Sequence, residues 1–204
     1  MGPLRNTNAS NNHEAAGNQA TSTDINITRL VKSAVGGDGE AFGELYGIYL
    51  DRIYRYVFYQ VRDKMVAEDI TEDVFVKAWK AINSCKGKEK TFSSWLYRIA
   101  HNQVIDVFRS RSKEWTIEMG AVTERSDSSL EVEKRADYQE LLQEIACLPE
   151  NQRQIIILKF IAGMDNREIG RITGKNQGAI RILQMRALAN LRKKLNPEEN
   201  EDGR

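Results

Sequence analysis

Cysteine is scarce in this chain. Cys85 and Cys147 stand alone, without the CxxC spacing of a zinc site or the density of a disulfide-stapled secreted domain, so both read as reduced thiols. Long apolar runs are missing as well. The stretch Ile155 to Leu158 stops at Lys159, and the N-terminal residues, rich in Asn, Thr, Ser and Ala, hold no apolar h-region. Neither a membrane span nor a signal peptide is therefore expected, and the cytoplasm is the expected location. A strong charge of one sign is absent too: 30 Lys and Arg against 29 Asp and Glu leave a net +1. Any contact with nucleic acid must then come from local segregation of charge.

That segregation exists. From Gly174 to Leu195 there are Lys175, Arg181, Arg186, Arg192, Lys193 and Lys194 and no acid, whereas 114–133 is mostly acidic and the tail Glu198-Glu199-Asn200-Glu201-Asp202 more so. No strand-period run and no internal repeat appears. The apolar spacing is helical throughout, so the expected fold is all-α, two small helical domains that fold independently and are joined by a flexible linker. Residues 1–24 lack large apolar side chains and are expected to be disordered. A first domain is expected over 25–112: a helix from Ile25 stopped at Gly36-Gly37, a second after the cap Asp38, a third from Met65 to Asn83 and a fourth from Thr91 or Phe92 to about Arg111. Residues 113–134 mix Ser, Asp, Glu and Thr and read as the linker. The second domain is expected over 135–196, with an acidic tail at 197–204. Its helices run from Ala136 to Leu148, from Pro149 to Ala162, from Asn166 to Thr173 behind the cap Asp165, and from Gln177 to Leu195.

A short helix and a long basic one, joined by a turn containing Gly174, form the pattern of a helix-turn-helix, whose second helix enters the DNA major groove. Ile169, Ile172, Ile180, Leu183 and Ala187 would hold the pair together. Asn176, Gln177, Arg181, Gln184 and Met185 lie toward the start of the second helix, where base edges are met, and Arg and Gln can read guanine and adenine by bidentate bonds. Lys159, Lys175 and Arg186 could seat phosphates. In the first half, Asp69, Glu72 and Asp73 fall on neighbouring turns of one helical surface, able to pair with a basic partner. From Phe92 to Arg111, aromatic residues alternate with arginines, a combination that can stack unpaired bases while holding their backbone. At helical spacing Trp95 and Phe108 belong in the core, and His101 reads as structural.

Leu148-Pro149-Glu150-Asn151-Gln152-Arg153, Ile155 to Phe160, Asn166-Arg167-Glu168-Ile169-Gly170 and Gly178-Ala179-Ile180-Arg181 together resemble region four of bacterial sigma factors, which reads the minus-thirty-five element. Ala67 to Trp79 resembles region 2.2, and Phe92 to Arg111 resembles regions 2.3 and 2.4. Nothing in 113–134 matches region three, which makes the resemblance one to the extracytoplasmic-function group. It implies docking on the β′ clamp of RNA polymerase core through Asp69, Glu72, Asp73 and Phe75, with the β flap as a further contact. It also implies minus-ten DNA contacts at Tyr97, Arg98, Asn102, Arg109 and Arg111, with Asn102 offering hydrogen bonds to a flipped base. Minus-thirty-five contacts are implied at Lys159, Asn176, Gln177, Arg181, Gln184, Met185 and Arg186. An anti-sigma factor is an implied partner, and no cofactor, metal or catalytic residue is. Ile182, Leu183 and Gln184 depart from the hydroxyl and basic residues frequent in the family, so the promoter sequence does not carry over. The alternatives are a helix-turn-helix regulator that binds DNA without polymerase, and a carboxylate-metal nuclease built on Glu68, Asp69, Glu72 and Asp73. The nuclease lacks an accompanying nucleophile, phosphate loop or ligand cluster.

Overall fold

The computed structural model describes residues 25–114 and 140–195, with side chains described as far as Ser110 in the first stretch. The N-terminal segment, most of the expected linker and the acidic tail lie outside the described residues, as does the side chain of Arg111. No strand occurs among the described residues.

Helix α1 (25–35) ends where Gly37 turns at φ 95°, a backbone that side chains rarely adopt. Asp38 then accepts hydrogen bonds from the Glu40 and Ala41 amides at 3.0 and 3.1 Å and starts α2 (Gly39–Val61). Arg62 reverses the chain in the left-handed region, and Asp63 caps α3 (Lys64–Ala81) through the Val66 amide at 3.0 Å. The third helix thus begins one residue earlier than its spacing suggests and tightens after Ala81 into a 3₁₀ turn, Ile82–Cys85. A second such turn, Glu89–Thr91, leads into α4 (Phe92–Glu114). Helices α2, α3 and α4 pack mutually, with Tyr49, Ile53, Tyr56, Val74, Phe92 and Leu96 at 5% exposure or less between them.

The second unit holds α5 (140–146), α6 (Glu150–Ile156), α7 (Asn166–Thr173) and α8 (Gln177–Leu195). The helix expected to run from Pro149 to Ala162 widens into a π turn over Ile157–Ile161, closed by the Ala162 amide on the Ile157 carbonyl at 2.9 Å. Four consecutive residues, Ile155 to Leu158, are buried there, because α2, α7 and α8 envelop the segment on several sides. Burying each such side chain contributes roughly 1.5–3 kcal/mol. Gly163 (φ 70°) ends the segment as expected.

Both expected helical units are present. They also pack against one another, α7 on α4 and the π turn on α2, so that buried residues of both form one continuous core. Independent folding did not anticipate this contact.

Candidate polymerase and nucleic-acid surfaces

On α3 the buried side is Ala67, Ile70, Thr71, Val74, Phe75 and Ala78. The opposite side therefore carries Asp69, Glu72 and Asp73, all exposed, and with them Met65, Val76 and Trp79 at 75, 49 and 41% exposure. Trp79 leans on Phe42 of α2 (ring centroids 4.9 Å apart), and Tyr46 meets Phe75 edge-on at 4.7 Å. A groove of about 430 Å³ runs beside them, lined by Tyr46, Leu50, Tyr54, Glu68 and Glu72 among others. Carboxylates beside large exposed apolar surface suit a partner helix bearing both cations and apolar groups. Phe75, expected to touch the partner, is instead 5% exposed and supports Tyr46 from beneath. The exposed apolar area on this side is instead that of Tyr46, Val76 and Trp79, which sequence spacing alone left unassigned.

Helix α4 presents two neighbouring stripes. Arg98, Asn102 and Arg109 repeat close to whole turns and are exposed, with Arg109 3.8 Å from Asp106. Tyr97 is a correction: at 2% exposure it packs edge-on against Tyr56 at 5.4 Å and offers no stacking platform. Burial pushes its phenol up to about 12. The other stripe, Ser94, His101 and Phe108 at seven-residue spacing, faces the second unit. A cleft of about 790 Å³ opens near the start of α4. Arg29, Lys32, Arg52, Lys90 and Ser93 line it, and Glu168 of α7 lies on its far side. Asn102 is not among the residues that line this cleft, whose hydrogen-bonding groups include Thr28, Tyr49, Ser93, the carboxylates of Glu89 and Glu168, and the basic side chains of α1, α2 and the turn before α4.

Asp165 accepts from the Arg167 and Glu168 amides at 2.7 and 2.8 Å while Glu168 accepts from the Asp165 amide at 2.8 Å, a reciprocal cap that starts α7. These amide bonds hold the Asp165 carboxyl below its usual range, the Glu168 amide foremost. Gly174 (φ 71°) turns the chain, and Ile169, Ile172, Ile180 and Ala187 bury as expected. Gln177, Arg181, Met185 and Arg186 lie exposed along α8. Two other expected base readers have tasks within the motif. The Asn176 side-chain oxygen accepts the Ala179 amide at 2.8 Å, and the Gln184 amide donates to the Asn166 side chain at 3.1 Å, tying α8 to α7. Lys159 sits half-buried on the π turn. Among the described residues no three His, Cys, Asp or Glu side chains converge as metal ligands, and no helix is long and apolar enough to cross a membrane.

Two family models match this chain: Sigma-70 region 2 over residues 45–114 and Sigma-70, region 4 over 138–191. The ECF RNA polymerase sigma factor BldN of Streptomyces coelicolor is 36% identical over 179 residues, covering 84% of this chain and 67% of BldN. SigW of Bacillus subtilis, also an ECF RNA polymerase sigma factor, is 30% identical over 189 residues, covering 84% and 98%. Among solved structures, CnrH in complex with the cytosolic domain of CnrY shares the fold at a TM-score of 0.65 and 22% identity, over 85% of this chain and 99% of CnrH. The sigma factor RpoE of Bartonella quintana, in complex with the anti-sigma factor NepR, shares it at 0.60 and 23%, over 78% and 98%.

Proposed function

We propose how this chain, which belongs to the family of ECF RNA polymerase sigma factors, divides its family's task among its own residues. It binds RNA polymerase core and directs promoter recognition, strand opening and transcription initiation. The exposed face of α3 is the docking surface: Asp69, Glu72 and Asp73 pair with cations of the β′ clamp, and Tyr46, Val76 and Trp79 supply apolar area around those pairs. The α4 stripe Arg98, Asn102 and Arg109 follows the minus-ten strand, and the basic cleft at the start of α4 receives an unpaired base. Gln177, Arg181 and Met185 meet base edges at the minus-thirty-five element, with Lys159 and Arg186 on phosphates. The domain limits proposed are 25–112 and 135–196, with 113–134 as linker. The chain acts in the cytoplasm, answers to an anti-sigma factor and carries out no chemistry itself.

The observation that carries the docking assignment is the meeting of three exposed carboxylates with exposed Val76 and Trp79 on one side of α3. Exposed carboxylates contribute about 0–1 kcal/mol to folding, whereas one set against a cationic clamp costs about 2–5 kcal/mol of binding when its partner is left unpaired. Run-off transcription with added core polymerase is the test. Asp73→Lys should abolish transcripts and core binding while leaving the melting temperature nearly unchanged. Unchanged core affinity in a folded Asp73→Lys protein would remove α3 from the interface. A duplex footprint without polymerase, coupled with no transcription in its presence, would favour a conventional regulator.

A further inference from the structure

Helix α8 turns an apolar stripe outward. Its inner side is buried through Ile180, Ala187 and Leu191. On the outer side Gly178, Ile182, Met185 and Ala189 are exposed, and at about 100° per residue they fall within about 60° of one another, one stripe along the helix. Ile182 is 48% and Met185 64% exposed. Arg181 lies along one edge of the stripe and Arg186 along the other, both exposed, and 177–195 holds no carboxylate side chain. Gly178 leaves the first turn bare on this side, so a partner can come close to the backbone there and to the two apolar side chains beyond it.

The polar side chains nearby are engaged. Asn176 accepts the Ala179 amide, Gln184 donates to Asn166, and Asn190 donates to the Gln152 side chain at 2.9 Å. Past Arg181, the exposed residues up to Ala189 are Ile182, Met185, Arg186, Leu188 and Ala189 itself, and of these side chains only Arg186 donates hydrogen bonds. An apolar side chain in the major groove has one feature to recognise on a base-pair edge, the C5-methyl of thymine, because the other distinguishing groups there are hydrogen-bond donors and acceptors. Exposed apolar surface also suits a protein partner. Cations on both edges of the stripe, in a helix without acids, favour a polyanion instead. Ile182 and Met185 are the sixth and ninth residues of α8, toward the end of a reading helix that meets base edges.

We propose that Ile182 and Met185 read thymine by its methyl group, so that the minus-thirty-five element of this chain sets A·T pairs against the outer stripe of α8, beside the pair that Arg181 reads. This rests on α8 being the DNA-reading helix, as assigned above, and adds the chemistry of the bases it selects. Arginine reads a pattern of hydrogen-bond acceptors, whereas the apolar pair reads buried area. Deoxyuridine in place of thymine removes the methyl and leaves the hydrogen-bonding groups of the base pair unchanged. At the usual worth of one buried carbon group, each methyl accounts for about fourfold in affinity.

The test uses the full chain bound to RNA polymerase core. Duplexes randomised across the minus-thirty-five region are selected with the parent protein, and the enriched sequence is remade with deoxyuridine replacing each thymine in turn. One or two of these replacements should weaken binding about threefold to fivefold. Ile182→Thr and Met185→Gln should each bind the thymine and deoxyuridine duplexes equally at one of those positions and keep the loss at the other. Lys193→Gln should weaken every duplex and keep both losses. Far-UV circular dichroism verifies folding, and either variant alone gives a reading should the other misfold. The proposal is overturned by enriched sites without thymine, by replacements that cost nothing in the parent protein, or by folded variants in which deoxyuridine costs as much as before. Weakened core binding with unchanged DNA selectivity in both variants also overturns it and gives the stripe to a protein partner. If the core-bound parent protein enriches no sequence at all, α8 is not the reading helix, and that assignment falls together with the proposal; enrichment without thymine sinks the proposal alone.

Discussion

Acid should weaken this chain through one ring. His101 lies on α4 with its Nδ1 3.4 Å from the Tyr56 hydroxyl and Lys175 nearby, and burial, reinforced by that lysine, lowers it from 6.5 to about 4. A base whose folded pKa is depressed binds its proton more readily in the unfolded chain. The stability it permits is complete above pH 6.5, falls as the pH drops below that value, and reaches its full loss near pH 4. Between pH 7 and pH 5 the shift corresponds to about 2 kcal/mol, which solvent reaching the half-exposed ring trims to about 1–2 kcal/mol. For a chain of this size that is roughly 2–8 °C in melting temperature. The assay is urea or thermal unfolding at both pH values, with the parent protein beside His101→Gln. Other groups titrate alike in the two, so the parent should lose the additional 1–2 kcal/mol that the glutamine variant does not. Only two histidines are present, His13 and His101, so nuclear magnetic resonance can follow each ring. A titration of the His101 ring near 6.5 in the folded protein, or an equal acid loss in the two proteins, would refute the reasoning.

Gln60 is 2% exposed, and its amide lies close to the Tyr56 hydroxyl without forming a hydrogen bond of ordinary geometry. Gln60→Met should therefore leave stability unchanged or raise it by about 1 kcal/mol in urea unfolding; a loss of several kcal/mol would reveal a partner. Asp165→Ala removes the reciprocal cap of an eight-residue helix, and unfolding should register a loss of about 1–2 kcal/mol. Arg181→Ala should cost about 1–3 kcal/mol on the cognate minus-thirty-five duplex and much less on a scrambled one, while Lys193→Ala should weaken both evenly. Equal losses on both duplexes for Arg181→Ala would make it a phosphate contact.

Local chemistry was legible in the sequence. Asp38 and Asp165 as caps, Gly163 and Gly174 as stops, and the limits 166–173 and 177–195 stand where residue type alone places them, because a cap or a left-handed turn is decided within a few residues. Tyr97 and Phe75 were not legible. A stripe four residues apart marks one face of a helix without saying whether a neighbouring helix or solvent lies there, and Tyr56 and Tyr46 of α2 decide it. Asn176 and Gln184 have the composition of base readers, yet each has a partner within the motif, a competition that only distance resolves. The π turn escaped for the same reason: its widening follows from surroundings on several sides.

The packing of α7 on α4 leaves exposed the surfaces proposed for polymerase and for the minus-ten strand. Asp69, Glu72, Asp73, Val76 and Trp79 are exposed on α3 while α7 rests on α4, and so are Arg98 and Asn102 on the neighbouring stripe. Glu168 of α7 stands in the lining of the cleft that Arg52 and Ser93 share. If α3 docks on core as proposed, it can do so with the two units packed as they are here. Because the interface sets Arg171, Lys175 and Arg153 against a hydroxyl, an imidazole and a ring and not against carboxylates, opening leaves no buried anion without its partner. Separating the units would nevertheless uncover apolar surface, since buried residues of both form one continuous core, so the polar contacts alone do not set what opening costs.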